Sequence, residues 1–331
     1  IVLNGDNKLT STTTEELDGA LYSTDDLIIS GSGTLTITSN YDGIVSKDTL
    51  VIKSGTYIIN SEDDGIRGKD NVAIVDGTFT INASADGIKS TNDTEATQGY
   101  VAIDGGTFTI NSVSDAIQAE TEVKISGGTF TLKTTGNTNS VSAKGIKAGT
   151  TLEINDGTFE INTTDDGIHS NGDLVINGGK FTITSKDDAI HADGMVEINN
   201  GTMTITASEG IEGTYVKINN GTININASDD GINAGQKSNS YTVQIEINGG
   251  DITIVMGQGD TDGIDSNGNI IINGGTINIT AQSPVDYDGK AELNGGTLIC
   301  NGTKMDTIPN QMMGGGGGMQ GQQGNRGQRM R

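Results

Sequence analysis

The sequence predicts an all-β chain wound as a right-handed parallel β-helix of roughly eleven coils, and three observations carry that reading. Apolar residues fall in short alternating runs such as "LTIT" and "VAIDGGTFTI", the period of half-buried strands, and nowhere at helical spacing. Two phrases, "DGI" and "GGTFTI" with their variants, alternate down the chain, and the undisturbed step is 22 residues, the separation of Gly43 from Gly65 and of Gly145 from Gly167. The 331 residues include 50 Gly but only 2 Pro and no Trp, and 32% are hydrophobic, so any core is thin and long. A unit this short cannot enclose a core alone. Three short strands joined by tight turns make one coil, and coils stacked about 4.8 Å apart close the interior and pair every backbone group.

Residues 1–30 read as an N-terminal coil or cap, 31–309 as the β-helix, and 310–331 as a flexible tail rich in Gly, Gln, Met and Arg. The "DGI" phrase recurs with its small residue at Gly43, Gly65, Gly87, Ala116, Gly145, Gly167, Ala189, Gly210, Gly231, Gly263 and, in the last register, Gly289. Longer steps mark insertions, "TNDTEATQGY" after Ser90, "TTGNTNSVSA" after Lys133 and "GQKSNSY" after Ala234, the natural places for lateral recognition loops. In "GTFTI" the alternation sends the aromatic position and the Ile inward, a core column from Tyr57 and Phe79 to Phe181, Met203 and Leu298, and leaves the threonines facing water.

The residue before each "GI" forms an acidic column: Asp42, Asp64, Asp86, Asp115, Asp166, Asp188, Glu209, Asp230 and Asp262, interrupted by Lys144, with Asp288 at its end. Asp-Gly supplies a turn, with Gly at positive φ and Asp bonding its own backbone. That does not account for the doubled carboxylates Asp63-Asp64, Asp165-Asp166, Asp187-Asp188 and Asp229-Asp230. Stacking puts like charges about 5 Å apart, roughly 3 kcal/mol of repulsion per pair at an effective dielectric near 20, which a cation relieves. Hard oxygen ligands without a zinc-spaced Cys or His cluster point to Ca²⁺, with Asp165, Asp166, Asp187 and Asp188 on neighbouring coils as the best candidate. The position after each Ile makes a second column, Val45, Arg67, Lys89, Gln118, Lys147, His169, His191, Glu212, Asn233 and Asp265. It reads as an exposed groove floor that a polyhydroxylated or uronate chain could follow, with Arg67, Lys89, Lys147, His169 and His191 as ligand contacts and Tyr100 and Tyr241 at the ends of two insertions.

A net charge of −24, from 19 Lys plus Arg against 43 Asp plus Glu, repels phosphate backbones and argues against nucleic acid as a partner. No apolar run approaches a membrane span, and the lone Cys300 rules out an internal disulfide framework. The chain starts at Ile1 without Met, which suggests a mature or trimmed product whose export signal, if any, is already gone.

With "DDGI", "NGGTFTI" and the Gly-rich end, the sequence resembles, over about residues 30 to 300, a family of secreted bacterial carbohydrate-binding domain-containing proteins. The resemblance implies a right-handed parallel β-helix similar in architecture to pectate lyases, bound calcium, extracellular or cell-surface location, and recognition of cellulosic or acidic pectic polysaccharides without catalysis. Rings outside the core are few, which shifts the expectation from crystalline cellulose toward calcium-bridged acidic sugar. Two other functions compete. A Ca²⁺-dependent β-elimination would need a base such as Lys144 or Lys147 beside Asp165-Asp166. A head-to-tail filament would use open terminal coils and the tail, whose Arg326, Arg329 and Arg331 face no acid of their own segment.

Overall fold

Strand-forming alternation with a Gly-containing turn every few residues leaves one economical arrangement, a coil that returns above its own start. The computed structural model describes residues 1–12, 19–138, 140–259 and 261–310. Each regular coil holds three strands, as in Ile44–Ser46, Thr49–Ile52 and Thr56–Ser61. Each strand pairs in parallel and in register with its equivalent one coil on, so that Ile44 faces Ile66, Leu50 faces Val72 and Tyr57 faces Phe79. The fold is a parallel β-helix with a short, a middle and a long wall. The short and middle walls fuse where Ile190–Ile198 and Ile211–Ile218 run through the corner between them. No helix long and apolar enough to cross a membrane occurs among the described residues.

Among the described residues the long wall has fourteen strands, all parallel but the last. Its thirteen parallel strands exceed the eleven registers read from the phrases because Asp6–Ser11 and Thr34–Ser39 precede the first "DGI" and add two coils. At the other end Thr303–Met305 folds back antiparallel on Thr297–Cys300, with Ile308 buried beneath. The chain thus covers that edge of the long wall itself. The tail on which the expectation of docking rests, residues 311–331, lies outside the described residues, as does Asn139 of the second insertion.

Inside, Tyr57, Phe79, Phe108, Phe130, Phe159 and Phe181 stack with ring centroids 4.7–4.8 Å apart and planes within 5°. The spacing is that of the strands themselves, so one ring per coil fills the interior continuously. The corner between middle and long walls is held by a row of amides. Asn177, Asn199, Asn219, Asn248, Asn273 and Asn294 each donate Nδ2–H to Oδ1 of the asparagine one coil earlier, beginning at Asn155, at 2.7–3.0 Å. A side chain with both donor and acceptor can repeat this indefinitely.

The structure corrects two details of the turn phrase. The glycine of "DGI" does not adopt positive φ; the glycine before most long-wall strands does, as at Gly77 and Gly128. A Cβ on Gly65 would instead lie 2.5 Å from the carbonyl oxygen of Gly87 and equally close to Ile81, so contact with the next coil sets the residue's size. The final register is Ser283–Pro284–Val285, paired with Asp262–Gly263–Ile264, and not Asp288–Gly289. The third position must enter the core: Val285 is fully buried, whereas Lys290 after Gly289 carries a charge and is exposed.

Candidate functional site

The corner between the long and short walls carries the acidic column, and each aspartate there serves the next coil. Oδ1 of Asp42, Asp64, Asp86 and Asp115 accepts the backbone N–H of Asp64, Asp86, Asp115 and Lys144 at 2.7–3.0 Å, and Asp166 and Asp230 do the same for Asp188 and Asp262 at 3.2 Å. The side chain therefore ties coils together, whereas the sequence suggested that it would bond its own turn. Asp42, Asp64, Asp86, Asp115, Asp166 and Asp188 are all buried. Burial raises Asp42 to about 6, partly offset by Arg67, and Asp64 to about 7, partly offset by Lys89.

The second carboxylate oxygen meets the column after the Ile, and this overturns the expectation of an exposed groove floor. Arg67 pairs with Asp42, Lys89 Nζ lies 2.6 Å from Asp86 and 3.9 Å from Asp64, and Lys147 Nζ lies 3.7 Å from Asp115. Lys144, where the column lacks its acid, reaches Asp165 at 2.7 Å and Asp166 at 2.8 Å. Gln118, His191 and Glu212 are buried outright. Lys89 reaches the carboxylate three residues back, and Arg67 and Lys147 reach the one on the preceding coil, so charge pairing draws them inward. Arg67, Lys89, Lys147 and His191 are thus counter-charges first and His169 is bonded to Asp166, with little of each left for a ligand.

His169 and His191 stack at 4.6 Å, Nδ1 of each 2.7–2.8 Å from its own coil's carboxylate, Asp166 or Asp188. Burial opposes a charged ring at His191, but Asp188 and Glu212 prevail and raise it to about 10. Burial likewise works to raise Asp166, and His169 and Lys144 overcome it and hold the carboxyl far below its usual range. Oxygens of Asp165, Asp166 and Asp187 converge within 4.8 Å, as do those of Asp42, Asp63 and Asp64. Asp188 turns to His191 instead, and Asp229 is exposed and joins neither group.

Beyond Glu212 the compensation ends. No ion pair reaches Asp230, Asp265 or Asp286 among the described residues. Burial raises Asp230 to about 7 and, with Asp262, Asp286 and Asp288 nearby, Asp265 to about 6. Asn233, Asp265 and Asp286 stand on successive coils, and buried Oδ1 atoms of Asn233 and Asp286 lack a hydrogen-bond partner.

Two of the grooves among the described residues cross several coils. One of about 390 Å³ crosses five coils beside the long wall, lined by Ser39, Asn60, Asn82, Asn111, Ser112 and Thr135 among others, with Glu62 its one charged residue. Asn60, Asn82 and Asn111 form a second amide row there, at 2.9 and 3.0 Å. Sequence reasoning passed over both rows, although the signal, "TIN" and the Asn before "GG", repeats in plain view. The other groove, about 700 Å³, is lined by Gly and Asn turns with Asp156, Lys180 and Asp251. Tyr100 begins a middle-wall strand, half-buried. Tyr241 folds back over the middle wall, donating to Asp173 at 2.8 Å with its ring 6.1 Å from Tyr215 and tilted by 52°.

A solved structure similar to this chain is that of a polysaccharide lyase-like protein from C. thermocellum, a gadolinium derivative, with 19% identity over 91% of this chain and 98% of that one and a TM-score of 0.36. No curated protein matches. The model of the family described as carbohydrate-binding domain-containing protein matches residues 2–189 and 185–306, and the chain therefore belongs to that family.

Proposed function

We propose that this protein is an extracellular, non-catalytic polysaccharide-binding protein that takes a glycan lengthwise along its axial groove at Asn60, Asn82 and Asn111. The observation that carries this reading is a groove of amides and hydroxyls crossing five coils, roughly 19 Å at about 4.8 Å per coil. Amides offer a donor and an acceptor to sugar hydroxyls, and a lining with one carboxylate suits a neutral chain of the cellulosic kind. The cations that the sequence offered to a uronate, Arg67, Lys89 and Lys147, are engaged by the acidic column. Family membership supports a carbohydrate ligand. Lys144 is a poor base for β-elimination: burial opposes its charge, but Asp166 and Asp165 raise its pKa above the ordinary lysine value. Calorimetry with cello-oligosaccharides should show binding that falls at least about ten-fold in Asn82→Ala with Asn111→Ala, the loss of some 1.4 kcal/mol expected of a few polar contacts. Unaltered binding in that variant would remove the groove from the proposal, and unsaturated product from polygalacturonate would remove the non-catalytic reading.

The same proposal includes calcium, at the end of the column that has no counter-charge. Asp165, Asp166 and Asp188 fit a calcium ion poorly, because Lys144, His169 and His191 already lie against their oxygens. Asp230, Asn233, Asp265 and Asp286 on successive coils offer oxygens alone with no ammonium against them, two of these oxygens buried and unsatisfied. An ion there would have to draw together carboxylates that do not converge as those of Asp165, Asp166 and Asp187 do. A bound ion would neutralise carboxylates that burial otherwise drives to take up protons. Calcium added to chelator-treated protein should raise the melting temperature, and Asp230→Asn with Asp265→Asn should abolish the rise. A melt indifferent to calcium in the unaltered protein would exclude the ion.

A further inference from the structure

The larger groove, about 700 Å³, follows the start of the long wall over the coils of Gly157, Gly179, Gly201, Gly221 and Gly250. In these turns the residue after the glycine donates its N–H to the glycine carbonyl one coil earlier. Lys180 thus bonds Gly157, Thr202 bonds Gly179, Thr222 bonds Gly201 and Asp251 bonds Gly221, at 2.8–2.9 Å. The glycine's own N–H is left over. Among the described residues nothing accepts from the N–H of Gly179, Gly201, Gly221 or Gly250, nor from that of Asn200 and Asn220 beside two of them.

The chain closes this gap where an aspartate precedes the glycine: Asp76 Oδ1 accepts from Gly77 at 2.8 Å, and Asp156 Oδ1 from Gly157 at 2.7 Å. On the four coils after Gly157 the preceding residue is Gly or Asn, and the donors stay unpaired. Gly221 is itself buried, so its donor needs an acceptor from outside the chain. Lys180 forms no ion pair among the described residues, and the exposed hydroxyls of Thr202 and Thr222 continue its row.

We propose that this groove is a second glycan site, for a neutral polysaccharide chain separate from the one at Asn60, Asn82 and Asn111, so that the protein bridges two chains. The inference rests on the reading of the protein as a glycan binder. Sugar hydroxyls both donate and accept; the backbone row offers donors over four coils, and the carboxylates of Asp156 and Asp251 at the two ends offer acceptors. Two carboxylates around one lysine disfavour a polyanion. No coil lines both grooves: the first runs from the strand Thr34–Ser39 to Thr129–Thr134, and the second begins with the next strand, Thr158–Asn162. They also lie at opposite ends of those strands. Strands of six residues, at about 3.3 Å per residue, set the grooves roughly 17 Å apart across the wall, so filling one leaves the other free.

The test is calorimetric titration of the full chain with cellohexaose, beside amide spectra recorded by nuclear magnetic resonance. We expect two equivalents per chain and saturable shifts of the Gly179, Gly201, Gly221 and Gly250 amides. Asn82→Ala with Asn111→Ala should leave one equivalent and the same glycine shifts. Lys180→Met with Thr202→Val and Thr222→Val keeps the shape of the wall, and should weaken the second equivalent at least about ten-fold while sparing the first. With a soluble mixed-linkage β-glucan the unaltered protein should form light-scattering, cross-linked complexes that either variant abolishes. A single equivalent with the glycine amides unmoved would overturn the second groove and leave the first standing. Two equivalents that survive the Lys180, Thr202 and Thr222 changes, with those amides unmoved, would also overturn it. No binding at all by the unaltered protein would remove both grooves. If the triple variant fails to fold, the glycine shifts decide.

Discussion

Phe108→Ala is expected to destabilise the protein by about 3–5 kcal/mol, measured by denaturant unfolding. Phe108 is 1% exposed and lies between Phe79 and Phe130, each 4.7 Å away by ring centroid. Truncation removes its transfer free energy and leaves a cavity that neither neighbour can fill, because each ring is held at the height of its own strand. In a solenoid the loss falls on two coil interfaces at once, so unfolding should also become less cooperative around this coil. Phe108→Leu keeps most of the volume and should cost clearly less. A loss below about 1 kcal/mol for Phe108→Ala would mean that the stack contributes little beyond spacing.

Asp166→Asn is expected to cost about 3–5 kcal/mol near neutral pH, because it leaves two half-buried partners, Lys144 and His169, facing an amide. Asp166 Oδ2 accepts from Lys144 at 2.8 Å and faces His169 Nδ1 at 2.8 Å, while Oδ1 accepts the N–H of Asp188 at 3.2 Å. Adding Lys144→Met should recover part of the loss, and the coupling energy of the double-mutant cycle measures the pair. The pH dependence follows from the direction of each shift. Asp166 is depressed in the folded state, so its contribution is full above the ordinary aspartate value and is lost as pH falls through the folded pKa. Asp42, Asp64 and Asp230 are raised to about 6 to 7, so the folded state takes up protons first, and stability from these groups rises as pH drops from about 7 toward 4. The protein should therefore be most stable in mild acid and weaken sharply below it. The variant should keep the gain and lack the Asp166 part of the low-pH loss. A stability that falls steadily from pH 7 downward would contradict the raised aspartates.

The β-helix, its coil length and its inward column were legible in the sequence because they depend on periods. An alternation of two and a repeat of 22 leave a side chain little choice of face, and Phe79, Phe108 and Phe130 face inward as that phase requires. The acidic column was legible as a column for the same reason. Its use was not. Whether Asp166 meets calcium, solvent or Lys144 depends on how far a side chain reaches across a corner and onto the next coil, and no one-dimensional period encodes that distance. The same holds for Arg67, Lys89 and His191: alternation after a buried Ile predicts exposure, and pairing with a buried carboxylate three residues back or one coil away reverses it. Sequence alone determined what repeats, and with it the fold. Only the tertiary structure decided which charges the repeat spends on itself, at Asp42 to Glu212, and which it leaves uncompensated at Asp230, Asp265 and Asp286, because electrostatic pairing is settled by ångströms between coils.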